Sequence, residues 1–143
     1  MKIAVIDTGV LVAGIFWRHE SHLCLRAWLR GILLPVVSEE VFAEYAVVLE
    51  RVKTENHFNV ETQPWLEAIR KSALWVTPSP LEHQVCRDPK DDKFLATALA
   101  AGVRTLIARD RDLTVLQKPF GIEILTPRAW LATLPRKERR LLT

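Results

Sequence analysis

Short apolar runs with no polar interruption recur along the chain, and each is followed by a stretch with helical spacing. Ile3-Ala4-Val5-Ile6 is the first of them. A strand that is apolar on both faces has to be covered on both, which is the situation of a parallel sheet between two layers of helices. Leu33 to Val37 repeats the pattern, with Pro35 marking it as an edge strand or one with an irregular start, and Trp75 to Thr77, Thr105 to Ala108 and Ile122 to Leu125, the last interrupted by Glu123, read as further strands. Helices are predicted from Leu23 to Leu29, from the N-cap Ser38 to about Val52, and from Trp65 to Ala73. Further helices run from the Asp88-Pro89 start through Ala101, closed by Gly102, from Asp112 to Leu116, and from the Thr126-Pro127 start past Trp130. Strands and helices alternating at this spacing specify an α/β fold, a mostly parallel central sheet flanked by helices in three layers.

No linker, repeat or low-complexity stretch divides the 143 residues, so residues 1–143 read as one domain with a basic tail from Arg136 onward. A chain of this length buries enough surface to need no staples. Cys24 and Cys86 stand far apart, with no C-x-x-C and no His at ligand spacing. That excludes a zinc knuckle and argues against a secreted disulfide scaffold. No apolar run approaches the ~20 residues of a membrane span. Asp7 interrupts the N-terminal apolar stretch where a signal peptide would continue. A cytoplasmic protein without membrane association is the expectation. The formal charge of +3 permits a polyanionic partner.

The informative acids are those in unusual places. Asp7 closes the first apolar run and Asp110 directly follows the run Thr105 to Ala108, both at the strand ends where open α/β sheets bind ligands. Glu44 shares a helix face with Val41 and Val48 and adjoins Tyr45. Asp92 shares one with Leu95, Ala96 and Leu99. Each has an ordinary structural reading: a turn or cap for Asp7 and Asp110, a salt bridge for Glu44. Asp88 reads as an N-cap and Asp91 as a first-turn acid, which leaves Asp91 structural and Asp92 functional. Asp112 can cap the short helix after it. Together, two strand-end acids and two acids on apolar helix faces converge at one sheet edge, where only a cation makes their repulsion tolerable. An all-oxygen set selects Mg²⁺ or Mn²⁺ over zinc, in an open site suited to phosphoryl chemistry.

These residues resemble a known family. Asp7-Thr8, Ser38 with Glu44 six residues on, Asp88-Pro89-Lys90-Asp91-Asp92-Lys93-Phe94-Leu95-Ala96, Arg109-Asp110-Arg111-Asp112-Leu113 and Ile124-Leu125-Thr126-Pro127 are similar in order and spacing to PIN-domain nucleases. They are most similar to the toxin components of bacterial toxin–antitoxin pairs. The resemblance covers nearly the whole chain. It implies a metal-dependent ribonuclease acting on single-stranded RNA, with Asp7, Glu44, Asp92 and Asp110 matching the family's acidic quartet and Asp112 as an auxiliary metal ligand. It also implies a homodimer and a cognate antitoxin protein. Gly9 departs from the family, which often has Asn or Ser there, and so does Ala108, where Thr or Ser is common. The missing groups would take away hydrogen bonds that orient the ligands.

On this reading the bound ions activate a water that attacks phosphorus in line. Arg109, Arg111 and Lys93 are placed to hold the substrate backbone, or to balance the acids. His19, His22, His57 and His83 are scattered, and no Ser/His/Asp or Cys/His set accompanies them. Among the five tryptophans, Trp28 and Trp65 lie on apolar helix faces, and Trp17 is the one placed to meet a passing base. Two other readings stay open. One is a degenerate member that binds RNA or a protein without cutting, suggested by Gly9 and Ala108. The other is a receiver- or phosphatase-like domain with Asp7 as phosphoryl acceptor, although the D-x-D-x-T motif is absent.

Overall fold

The computed structural model describes all 143 residues. Its five strands are β1 (Lys2–Ile6), β2 (Leu33–Val37), β3 (Leu74–Trp75), β4 (Thr105–Ile107) and β5 (Glu123–Leu125), and every pairing among them is parallel. The order across the sheet is β3-β2-β1-β4-β5. Ala4, Val5 and Ile6 of the central β1 are all buried, so the strand is covered on both faces over these residues, while Ile3 at its start is exposed.

The chain steps outward from β1 to β2 to β3, then returns across the sheet to β4 on the other side of β1. Parallel crossovers are right-handed, so the outward connections lie on one face and the returning one on the other. The outward connections are α1 (Thr8–Phe16) with α2 (His19–Leu29), and α3 (Glu39–Asn56) with α4 (Gln63–Ser72). Trp28 of α2 meets Trp65 of α4 with ring centroids 6.1 Å apart and donates its indole N–H to Ser72 Oγ at 2.9 Å. The returning connection carries α5 (Asp92–Ala101), which packs across β1, β2 and β4. A short α6 (Arg111–Thr114) leads to β5, and α7 (Pro127–Ala132) comes back against α2. The result is the three-layer α/β/α arrangement that the alternation of patterns specified.

Several elements differ from their expected extents for physical reasons. His19-Glu20-Ser21 form the first turn of α2, where Glu20 suits the helix dipole, so the helix starts before Leu23. Helix α3 continues past Val52 to Asn56 and stops at His57 in the left-handed region (φ 55°). Pro35 does not mark an edge: β2 is interior, but its neighbour β3 pairs only with Val36 and Val37, so the ladder on that side has not begun at Pro35. The basic terminal segment is not a free tail. It folds into α8 (Arg136–Arg140), flanked by Leu134 and Leu142, which are 2% and 1% exposed. No helix is long and apolar enough to cross a membrane.

Helices α1 and α2 are in close contact at Gly14. A Cβ there would stand 2.7 Å from Leu25 Cδ1 and 2.9 Å from the Ser21 carbonyl oxygen. Helix propensity alone favours Ala over Gly by about 1 kcal/mol. The backbone oxygen of α2 cannot retreat as a side chain could, so the clash decides the sign. Gly14→Ala is expected to lower stability by about 1–3 kcal/mol in urea unfolding, and an increase in stability would contradict this close approach.

Candidate active site at the carboxyl edge of the sheet

The connections leaving β1 and β4 run in opposite directions, which opens a crevice beyond the ends of these two strands. Asp7 occupies it from the β1 side. It stands in the N-cap position of α1 with extended backbone, yet its carboxylate makes no capping bond to the first turn. Its N–H donates to the Ile107 carbonyl of β4 at 2.9 Å, and the Tyr45 hydroxyl of α3 donates to the Ile6 carbonyl one residue before it. The end of β1 is thus held from two sides. Asp110 enters from the β4 side, with Oδ1 accepting the Asp112 N–H at 2.9 Å.

Glu44 reaches the crevice from α3, between the buried Val41 and Tyr45 and the half-buried Val48, so it lies at the rim of the core. One of its oxygens accepts the Thr8 hydroxyl and the other accepts Lys93 Nζ at 2.7 Å. The relative placement of α3 and α5 is set by a buried hydroxyl pair. Ser38 Oγ caps α3 at the Val41 N–H and lies 2.9 Å from Thr97 Oγ1, which in turn donates to the Lys93 carbonyl at 2.7 Å. The third acidic wall is Asp91, at the end of the 3₁₀ turn Pro89–Asp91 that leads into α5.

The open cleft between these elements has a volume of about 960 Å³ and is lined by six acids (Asp7, Glu40, Glu44, Asp88, Asp91, Asp110) and four cations (Arg51, Lys90, Lys93, Arg109). Asp7 is only 6% exposed. Burial first, and then repulsion from Asp91, Asp110 and Glu44, pushes its carboxyl from the ordinary 3.8 up to about 7, although a backbone hydrogen bond from Thr8 acts the other way. Burial, followed by Asp110, Asp88 and Glu44, pushes Asp91 up to about 6, with Lys93 partly offsetting this. Burial, with Asp7 and Glu44 adding, pushes the Tyr45 hydroxyl well above its ordinary 10 and keeps it a donor.

The structure brings Asp91 into the cleft and leaves Asp92, the expected site acid, outside it. The Asp92 carboxylate accepts the N–H of Cys86 at 2.7 Å and that of Val85 at 3.1 Å, fastening the segment 78–86 to the start of α5. Two members of its apolar face, Ala96 and Leu99, form the floor of a groove beneath that segment, and Leu99 is exposed. The residues in phase with Asp91 are Phe94, Leu95 and Ala98, all fully buried. Asp92 does not line the cleft. The bulkier set was present in the sequence and marks Asp91 as the acid on the inner face. Asp112 also falls outside the cleft, its carboxylate 3.7 Å from Arg87 Nη1. Neither Asp92 nor Asp112 is among the charges that perturb Asp7 and Asp91. Arg109 lines the cleft and Arg111 does not. Trp17 closes the far end of α1 in edge contact with Phe16 and Phe58, and is not part of the cleft wall.

An acid at the end of β1, another after β4 and a third at the head of the returning helix form one negative cleft, in a region that a family-level comparison matches to the PIN domain over residues 3–112. The chain belongs to the PIN-domain family. The match includes β1 through β4 and every acid of the cleft, so the fold is of nuclease type. No curated protein matches the chain significantly. In this PIN domain a Cβ at Gly9 would lie 3.4 Å from Asp7 Oδ2, in ordinary contact with the carboxylate. Ala108 is fully buried and its N–H bonds the Leu125 carbonyl at 2.8 Å, so β4 pairing does not depend on a hydroxyl there.

The donor chemistry of the cleft fits a hard divalent cation. The acids raise one another's proton affinity, and a positive charge would relieve that repulsion. As the side chains stand, no three acids close around a single point. Mg²⁺ needs no such cage, since it takes one or two carboxylates together with waters and substrate phosphate.

The raised Asp7 makes the site a measurable load on folding. Its folded value lies above its unfolded one, so the folded protein binds this proton more tightly. The contribution of Asp7 to stability is greatest below about pH 4, where both states are protonated, and is lost as pH rises toward 7. Asp7→Asn removes that loss. In EDTA the variant is expected to unfold at a higher temperature than the parent at pH 7.5, by up to about 4 kcal/mol in stability, with the difference closing at pH 4. Equal melting temperatures at both pH values would show that Asp7 is not under this strain.

Proposed function

We propose that the protein is a metal-dependent ribonuclease that hydrolyses phosphodiester bonds of single-stranded RNA. The observation that carries this is the clustering of Asp7, Glu44, Asp91 and Asp110 at the crevice beyond β1 and β4, with two of the four carboxyls pushed up by burial and mutual repulsion. When bound, Mg²⁺ or Mn²⁺ supplies the Lewis acid that activates water and stabilises charge on the phosphate. Asp7, Glu44, Asp91 and Asp110 are the residues that would hold it. Asp7 and Asp91 carry the greatest strain and gain most from a neighbouring cation. Arg51, Lys90 and Arg109 sit on the same cleft wall, where they bind and orient the sugar-phosphate backbone. Asp92 acts through the backbone, holding the segment 78–86 against α5.

The order of the motifs supports the narrower reading as the toxin of a toxin–antitoxin pair, with a small antitoxin protein as partner and a homodimer as the working assembly. Its test is growth arrest on expression in a bacterial host and relief by the product of an adjacent small open reading frame. A second reading, an RNA-binding module that does not cut, draws on the absence at Gly9 and Ala108 of side-chain groups that could orient the ligands. Phosphoryl transfer to Asp7 has less support, because a carboxyl 6% exposed and pushed up to about 7 is a poor nucleophile.

Incubation with labelled single-stranded RNA separates these. Cleavage is expected with Mg²⁺ or Mn²⁺ and is lost in EDTA. Asp7→Asn and Asp91→Asn are each expected to lose about a hundredfold or more in rate. Asp92→Asn is expected to keep cleavage within about tenfold, while weakening the attachment of the segment 78–86. Loss confined to Asp92→Asn, with Asp91→Asn active, would restore Asp92 to the quartet. Binding without cleavage would favour the second reading.

A further inference from the structure

We propose that Lys93 keeps the metal's place. In the metal-free protein its ammonium group neutralises Glu44, and it is released toward the substrate phosphate when a divalent cation takes that carboxylate. This rests on the metal-dependent reading above.

Four observations lead to it. Lys93 Nζ lies 2.7 Å from Glu44 Oε1, with side-chain exposures of 18% and 22%, so the pair is shielded and unlike an exposed surface contact. Both Glu44 oxygens are engaged, one by Lys93 and one by the Thr8 hydroxyl. Among the four cations lining the cleft, Lys93 alone makes an ion pair. Its backbone is fixed while its tip is not: the Lys93 carbonyl is tied through Thr97 to Ser38, whereas the four-carbon stem leaves the ammonium free to swing.

A partly shielded carboxylate is stabilised by a counter-charge, so Glu44 gains from a nearby cation whether or not a metal is bound. A divalent ion and an ammonium group cannot share the same carboxylate without repelling each other. Ion entry therefore displaces Lys93, and the displaced charge stays in the cleft. There it faces the phosphate that the ion recruits, so positive charge and substrate arrive together. The exchange makes Lys93 a positioning residue for the metal and a contact for the RNA, two roles that oppose each other when it is substituted.

The test is Mn²⁺ binding by titration calorimetry, with RNA absent. Lys93→Met keeps much of the stem and removes the charge, and is expected to bind Mn²⁺ at least about tenfold more tightly than the parent. Lys93→Arg retains the charge and is expected to stay near the parent value. The same Lys93→Met variant is expected to show a raised KM for single-stranded RNA. A companion measurement needs no variant: the Lys93 ammonium signal in NMR is expected to be protected in EDTA and to lose protection when Mg²⁺ is added. Unchanged or weaker Mn²⁺ affinity in Lys93→Met, or a Lys93 signal that stays protected while other cleft residues respond to Mg²⁺, overturns the exchange and leaves the metal reading standing. Absence of any Mn²⁺ binding by the parent overturns both.

Discussion

Everything at the carboxyl edge follows from ending the central strand in a carboxylate that water barely reaches. Asp7 cannot be relaxed by moving outward, because the residue before it is pinned by the Tyr45 hydroxyl and its own N–H is bonded to β4. With the position fixed, the remaining freedom is chemical: the group holds its proton or acquires a cation. The same burial that makes Asp7 a poor surface acid makes it responsive to whatever charge enters the cleft. Strain of this kind persists only where the surrounding structure over-determines it.

The fold delivers the other acids without any of them being near Asp7 in sequence. The reversal of strand order beside β1 opens the crevice, and right-handed crossovers send α3 past one side of it while α5 returns from the other. Glu44, Asp91 and Asp110 are then contributed by α3, the turn before α5 and the end of β4. The Ser38–Thr97 hydroxyl contact links α3 to α5, so the distance between Glu44 and the head of α5 is governed by buried atoms with no exposed ones involved. Geometry at the mouth of the cleft is inherited from the core.

The alternation of apolar runs and helical spacing was enough to specify the layered parallel sheet, because covering both faces of a strand such as Ile3-Ala4-Val5-Ile6 leaves little else to build. Caps at Ser38, Asp88 and Thr126 were legible for the same local reason. Strand order was not, since pairing across β1 depends on contacts between residues far apart in the chain. In the site, Asp7, Glu44 and Asp110 could be picked out by position alone. The number of apolar neighbours did not separate Asp91 from Asp92; their bulk, with Phe94 in phase with Asp91, was the readable signal, whereas the Val85 and Cys86 N–H groups that occupy Asp92 are visible only in the fold. Pro35 failed as an edge marker because its meaning depended on how short β3 is.

The Asp92 tether joins two regions usually thought of separately. The segment it holds forms the wall of a groove, and the residue that holds it is the immediate chain neighbour of an acid in the pit. Groove and pit therefore share one anchor, the Asp91-Asp92 peptide at the head of α5, with one carboxylate holding the groove wall and its neighbour lining the pit. The strut that fixes the wall is built from backbone N–H groups, so residues 85 and 86 can change identity without loosening it.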